Sequence, residues 1–402
     1  MTRPRTVPGK TGELGEASAL KGAAKGDDDT VPMLDLRRQQ EAIKDRLLQA
    51  VIDVVRDANY LPCRWPMPFE ERFAGYCGHS YCVGVGSGTA ALHIALLASG
   101  IGSGDEVVSV PNSFFATTEA ILHVGARPVF ADVDPRTHLI SLDGLREVIT
   151  ERTRAVLPVH LFGNVVDVDG IYDLLDALGR SDIVVIEDCA HAAGAWRGGR
   201  SVPLGGIGAF SFNPGKNIGA FGDAGAIVTS DPELARQARL LRDHGRAQKK
   251  VHQLIGFNSR LSRINERVLD IKMDYLDEWN GRRRQVARRY EQAFVDLPAL
   301  TPVQTGPTVG AAWHQYVVCT PNRDPLRAYL RDCGITTAIH YPSLIPDLEP
   351  LRRLGYRTEE LPTAAGLNRQ ILSLPCHPEL TDAEAQRVID TVSAFETGRG
   401  GG

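Results

Sequence analysis

Lysine is scarce in this 402-residue chain, eight residues against 37 arginines, and four of the eight (Lys10, Lys21, Lys25 and Lys44) fall near the start. A lysine in the middle of the chain therefore invites a chemical reason. The seven cysteines (Cys63, Cys77, Cys82, Cys189, Cys319, Cys333 and Cys376) are odd in number and scattered, with no C-x-x-C pair. That argues against a zinc or redox framework, so no metal is expected and the thiols are read as buried and free. No run approaches the ~18 to 20 apolar residues that span a bilayer, and the N-terminus has no apolar stretch of signal-peptide type, so a cytoplasmic chain with no membrane partner is expected. A formal net charge of -4 offers no general basic field, and nucleic acid is not expected as a partner.

With 43% hydrophobic and 23% charged residues, the chain has the length for one large core and a second, smaller domain. Residues 1–30 are rich in Gly, Ala, Lys and Asp with almost no bulky apolar side chains, and a disordered tail is expected there. Apolar residues at Ile43, Leu47, Leu48, Val51, Val54 and Val55 recur at helical spacing, and the Pro-rich LPCRWPMP ends that helix. The centre alternates β-rich runs (YCVGV, EVVSV, PVFADV, AVLPVHL, IVVIED) with helical patterns, which predicts an α/β fold with a mostly parallel central sheet flanked by helices. After Arg263 one long helical stretch leads into short strands and two helices ending near Phe395. The expected division is a large domain over 31–270, a smaller C-terminal α/β domain over 271–396 and a flexible tail at 397–402.

Three segments carry candidate chemistry. In GVGSGTAAL (Gly84 to Leu92) a strand ends in small residues and a helix begins, so free N–H groups and the hydroxyls of Ser87 and Thr89 can face an anion; a tight turn with a Thr cap is the alternative. In IVVIEDCAH, Asp188 stands at a strand's carboxyl end, where it could hold a pyridine nitrogen protonated or simply cap a helix. In GAFSFNPGKNIGAFGDAGAIVTS, Lys216 lies among glycines in an apolar, nearly uncharged segment. Burial there would lower its pKa and favour Schiff-base formation, against a plain surface lysine on a loop. Anion loop, strand-end Asp and then lysine, in that order, is the arrangement of fold-type I pyridoxal phosphate (PLP) enzymes.

From Pro32 to about Phe395 the chain also resembles the DegT/DnrJ/EryC1/StrS sugar aminotransferases, through GSGTAALHIAL, FFATTEAI, GARPVFADVDP, IEDCAHAAGA, FSFNPGKNIGAFGDAGAIVT, LRDHGR, GFNSRL and LSLPCHP. The resemblance implies Lys216 as Schiff-base lysine and acid/base, Asp188 on the pyridine nitrogen and His191 on the ring's phenolic oxygen. It further implies Phe114 stacked on the ring, and Gly88, Thr89 and Ser211 on the phosphate, with Asn258 reaching in from a partner subunit of a homodimer with shared active sites. Without the family, Phe114 reads as core, Ser211 as an alternating strand residue and Asn258 as a turn. His160, His340 and Tyr341 are candidate substrate-side residues, with a core histidine an equal account of either imidazole. Arg246 and Arg260, with Lys249 and Lys250, could meet a diphosphate or form a solvated charged loop.

The implied reaction is ping-pong transfer of an amino group from Glu or Gln to a keto-sugar, chiefly a nucleotide-linked keto-hexose, in antibiotic or glycan amino-sugar biosynthesis. A keto-cyclitol acceptor is the alternative. A PLP lyase would want a mobile catalytic Cys, and a regulatory homologue would lose Lys216 or Asp188. Three segments depart from the family's wording: NYLPCRWPMP, RLSRINERVLDIK and IHYPSLIPD. They bear on substrate and dimer contacts rather than on cofactor.

Overall fold

The computed structural model describes residues 30–61, 67–306 and 308–398. The expectation of a disordered tail over 1–30 and that of a flexible one over 397–402 fall almost entirely outside these residues. The helix expected near the start is α1 (Leu36–Arg56), capped by Asp35, and α2 (Pro68–Tyr76) follows. Ile43, Leu47, Ala50 and Val54 of α1 are buried, whereas Leu48, Ile52 and Val55 form a second, exposed stripe.

Strand and helix then alternate as expected: β1 (Tyr81–Val85), α3 (Gly88–Ala98), β2 (Glu106–Ser109), α4 (Phe115–His123), β3 (Arg127–Phe130), α5 (Leu142–Val148), β4 (Thr153–Val156), α6 (Val168–Ala177), β5 (Val184–Val185) and β6 (Glu187–Asp188). A small hairpin, β7 (Trp196–Arg197) and β8 (Arg200–Ser201), precedes β9 (Ile207–Ser211), β10 (Gly225–Thr229) and α7 (Pro232–Arg242). The strands pair in the orders β3-β2-β4-β5 and β1-β10-β9-β6. Only Ile186 separates β5 from β6, and its N–H still donates to Val156 O at 3.0 Å, so the two sets read as one sheet. β10 alone runs against its neighbours; the rest of that sheet is parallel. Its central strands are buried on both faces, which is why their sequences are continuous apolar runs rather than alternating ones.

A hairpin of β11 (Arg246–Gln248) and β12 (Val251–His252) follows. The stretch expected as one long helix is two, α8 (Arg263–Lys272) and α9 (Leu276–Phe294). The turn between them lets each helix serve a different core: Val268 packs with Ile43 and Leu47 of α1, while Val286, Ala287, Tyr290 and Phe294 pack under the C-terminal strands. Those strands are β13 (Thr301–Pro302), β14 (Val309–Gly310), β15 (Tyr316–Cys319) and β16 (Ile371–Leu374), with β15 central between β13 and β16. Two helices were expected here. The structure has α10 (Arg323–Asp332) and α13 (Asp382–Glu396), plus α11 (Glu349–Arg353) and α12 (Pro362–Asn368), two short ones with a proline at the first or second position that stop within two turns. No helix of the described residues is long and apolar enough to cross a membrane.

Candidate active site

The carboxyl ends of β1, β6 and β9 open on one cavity of roughly 470 Å³, where an open α/β sheet places its ligand. At the β1 end, Ser87 caps α3, its Oγ accepting from Ala90 N at 3.1 Å. The cap is thus the serine and not Thr89, which is left to face the cavity beside Gly88 and Ser211. A Cβ on Gly88 would sit 2.6 Å from Ser211 Cβ. Glycine at that position is what lets the helix N-terminus, with its unpaired N–H groups, and the Ser211 hydroxyl share one anion cradle.

Asp188 ends β6 and is 4% exposed. No helix starts after it, so the helix-cap reading fails; a turn does, and Ala190 N donates to Oδ1 at 3.1 Å. Thr117 Oγ1 donates to Oδ2 at 2.8 Å and is itself bonded to Ser113 Oγ. Burial raises the carboxyl's pKa, against the pull of these hydrogen bonds and of Lys216. A buried carboxylate without an arginine partner is a costly group unless a ligand cation, such as a protonated ring nitrogen, completes it.

Lys216 sits on the connection from β9 to β10 and lines the same cavity. Its N–H donates to Asn213 O at 2.8 Å, and the loop is held from behind by buried Lys272, whose Nζ donates to Gly219 O at 2.6 Å. Burial lowers the Lys216 pKa to about 8, with Asp188 opposing the shift. Far more of its amine is therefore unprotonated near neutral pH than in an ordinary lysine.

His191 lies on the turn after Asp188. Phe162 N donates to its Nδ1 at 3.2 Å, which leaves the proton of the neutral ring on Nε2, 3.4 Å from Tyr341 Oη. Burial, then Lys216 and His340, hold its pKa well below the usual imidazole value. Its ring packs 4.4 Å from that of His314, whose Nδ1 lies 2.9 Å from Asn217 Oδ1. Phe114 is 56% exposed at the cavity rim, so it is not a core residue, and its ring centre lies 5.6 Å from that of Tyr341. His340 lines the wall, its pKa lowered to about 4 by burial and by Lys216.

His160 does not reach this cavity. It is fully buried behind the sheet, where Val166 N donates to Nδ1 at 3.1 Å and Nε2 lies 2.8 Å from Glu187 Oε2. Glu187 also accepts from Leu204 N and Gly205 N. Neighbouring strand residues face opposite ways, so Asp188 meets the cavity while Glu187 and His160 lock the strand from behind; the substrate-side role expected of His160 is withdrawn. These two and Cys189 place ligand-type atoms within 4.8 Å of one another, but the carboxylate and imidazole are already satisfied by each other and the backbone.

Arg246, Arg260 and Asn258 also lie outside this chain's own cavity. Both arginines pair with Asp243, at 2.5 and 3.2 Å, and Arg260 Nη2 donates to Asn258 Oδ1 at 2.8 Å. Asp243, three residues before Arg246, thus offsets only one positive charge of the basic cluster expected there, and Lys249 and Lys250 are exposed. Thr117, His314, Gln315, Arg283 and His377 were missed. Thr117 was detectable in FFATTEAI and His377 in LSLPCHP; Arg283, His314 and Gln315 come from distant segments with no local signal.

The description "DegT/DnrJ/EryC1/StrS aminotransferase family" matches over residues 41–393. The dTDP-3-amino-3,4,6-trideoxy-alpha-D-glucose transaminase of Streptomyces venezuelae is 41% identical over 374 residues, 92% of this chain and 97% of the relative. The erythromycin biosynthesis sensory transduction protein EryC1 of Saccharopolyspora erythraea is 40% identical over 365 residues, 90% of this chain and 99% of the relative. A crystal structure of S. venezuelae DesV in complex with a ketimine intermediate superposes with a TM-score of 0.88 at 39% identity, covering 91% of this chain and 98% of that one. Sequence, fold and the facing Lys216 and Asp188 agree, and the chain belongs to the DegT/DnrJ/EryC1/StrS family as a PLP-dependent aminotransferase of fold type I.

Proposed function

We propose that this chain transfers an amino group from Glu or Gln to a nucleotide-linked keto-hexose in amino-sugar biosynthesis. The observation that carries the reading is a lysine amine with a pKa of about 8 facing the same cavity as a buried carboxylate, in a chain 41% identical to a dTDP-sugar transaminase. Retention of Lys216 favours transamination over a regulatory role, although two relatives are named as a sensory transduction protein and a pleiotropic regulatory protein.

When bound, PLP supplies an electron sink for the carbon that gains or loses its proton. Lys216 Nζ would hold the cofactor and, once free, would carry that proton between the two carbons. Asp188, whose carboxylate Thr117 and Ala190 orient by hydrogen bonds, would accept the pyridine N–H. His191, with the proton of its neutral ring on Nε2, would donate to the phenolic oxygen, Phe114 would cover the ring, and Gly88, Thr89 and Ser211 would hold the phosphate. His340 and Tyr341 line the acceptor's side.

Asn258, Arg246 and Arg260 serve the second site of a homodimer. In support, they lie outside their own cavity, and Val251, Leu254, Ile255 and Phe257 beside them are exposed apolar residues that a second copy would cover. We further propose a cytoplasmic protein whose large and small domains divide near residue 270.

The test is transfer of label from ¹⁵N-glutamate or amide- and amine-labelled glutamine to a dTDP-linked keto-hexose, read by mass. Label in the sugar supports the reading; a protein that exchanges label with the donor but never with a sugar nucleotide contradicts it. A pH dependence follows as well. The lysine pKa is depressed, so the free amine is present above about pH 8 and lost below it. The rate at which cofactor-free protein captures PLP should rise through pH 8 and level off above it; an ordinary exposed lysine would still be gaining toward its usual value near ~10.4.

A further inference from the structure

Arg283, on α9, is 3% exposed and lines the Lys216 cavity together with His314, Gln315 and His377. Its Nη1 donates to three carbonyl oxygens, of Cys376 at 2.6 Å and of Trp313 and His314 at 3.3 Å each. Its Nε has no partner, and among the described residues no carboxylate forms an ion pair with it. The nearest acidic influence, Glu379, is already bonded to Gln39 Nε2 at 3.0 Å and lies 3.3 Å from His377 Nδ1. A guanidinium cannot shed its proton to escape burial, so a desolvated one calls for an anion.

Two further polar atoms along the same wall are buried and unpartnered, Gln315 Oε1 and His377 Nε2. The wall is also close to the reacting amine. Asn217, next to Lys216, is 2.9 Å from His314 Nδ1, and the carbonyl of His314 is one that Arg283 holds. Burial, then His191, Lys216 and Arg283, hold the His314 pKa well below the usual imidazole value.

We propose that Arg283, flanked by Gln315 and His377, is the subsite for the α-carboxylate of the amino donor. The proposal rests on the transaminase reading above and deepens it. Glu and Gln share only the α-amino acid end, and that end must bring its nitrogen to Lys216, so the anion beside the reacting nitrogen is the one that meets a fixed cation nearby. A guanidinium suits a carboxylate because its N–H groups match two oxygens at once.

The test uses PLP-loaded protein and glutarate, which has glutamate's carboxylates and no amine to transfer. Calorimetric titration should show glutarate binding weakened about thirty-fold or more in Arg283→Gln. The donor half-reaction of both glutamate and glutamine should lose a similar factor in kcat/KM, with the KM for the sugar nucleotide unchanged. Gln315→Leu and His377→Phe leave the three carbonyl contacts of Arg283 in place and should each weaken glutarate several-fold at unchanged melting temperature; they keep the idea testable if Arg283→Gln fails to fold. Unchanged glutarate affinity in a folded Arg283→Gln, or loss confined to the sugar nucleotide, would overturn the proposal. Failure of the parent reading looks different, since wild type itself would then pass no amine to a sugar nucleotide.

Discussion

Replacing Lys216 by Ala is expected to lower the transamination rate by at least about 10³-fold while leaving the protein as stable as before. The general acid/base role alone is worth about 10²–10⁴-fold, and the same substitution removes the covalent hold on the cofactor. Stability should not fall, because among the described residues nothing hydrogen-bonds the amine; only the backbone N–H of Lys216 is used, on Asn213 O. An amine whose pKa burial has lowered to about 8 is a desolvated cost to the fold. Single-turnover conversion of the donor, read beside a thermal melt, checks both halves. A large drop in melting temperature would mean that Lys216 is structural, and retained turnover would remove it from the chemistry.

The second large effect is on stability. Glu70 of α2 is fully buried, and its Oε1 accepts from Gly84 N at 2.7 Å and from Arg242 Nη1 at 2.5 Å, while Oε2 accepts from Met67 N at 3.0 Å. Arg242 Nη1 donates in turn to Gly84 O at 2.6 Å. One carboxylate thus ties the start of α2, the end of α7 and the strand that carries the anion cradle. Glu70→Ala removes three acceptor contacts and leaves Arg242 without that carboxylate, at a cost of about 3–5 kcal/mol. Against a total stability of about 5–15 kcal/mol, that is a severe loss. Urea unfolding should show a lower midpoint and PLP should be held more weakly, because Gly84 leads into Ser87 and Gly88. The double variant Glu70→Met with Arg242→Met should be less harmed than Glu70→Ala, since no charge remains buried. If instead Glu70→Ala unfolds at the wild-type midpoint, the pair contributes little to holding the cradle.

Both variants touch residues that local sequence brings forward to different degrees. Lys216 is conspicuous because lysine is rare here and because its neighbours are apolar and small. Glu70 falls within the stretch that matches the family, yet nothing near it says that its partner lies on α7. Asp188 is legible as a carboxylate at a strand's end, but Thr117, which aims it, sits on α4 and joins it only through the sheet. The long helical pattern after Arg263 conceals the break at Met273–Tyr275, because apolar spacing continues on both sides while the core being served changes. His160 shows the same limit from the other direction. An imidazole four residues after β4 can face either side, and its pairing with Glu187 turned it inward.

By itself, then, the sequence determined the alternation of strand and helix, the small residues at the strand ends, and which few side chains there could do cofactor chemistry. All of these are local: they depend on backbone propensity, apolar spacing and the intrinsic reactivity of amine, carboxylate and imidazole. Tertiary structure alone decided that β10 runs against its neighbours, that Asp243 answers Arg246 and Arg260, and that Arg283 lies buried against the Lys216 cavity with no carboxylate paired to it among the described residues. Those outcomes depend on which distant segments meet and on how far each charge is removed from water, and neither quantity is written in any short stretch of chain.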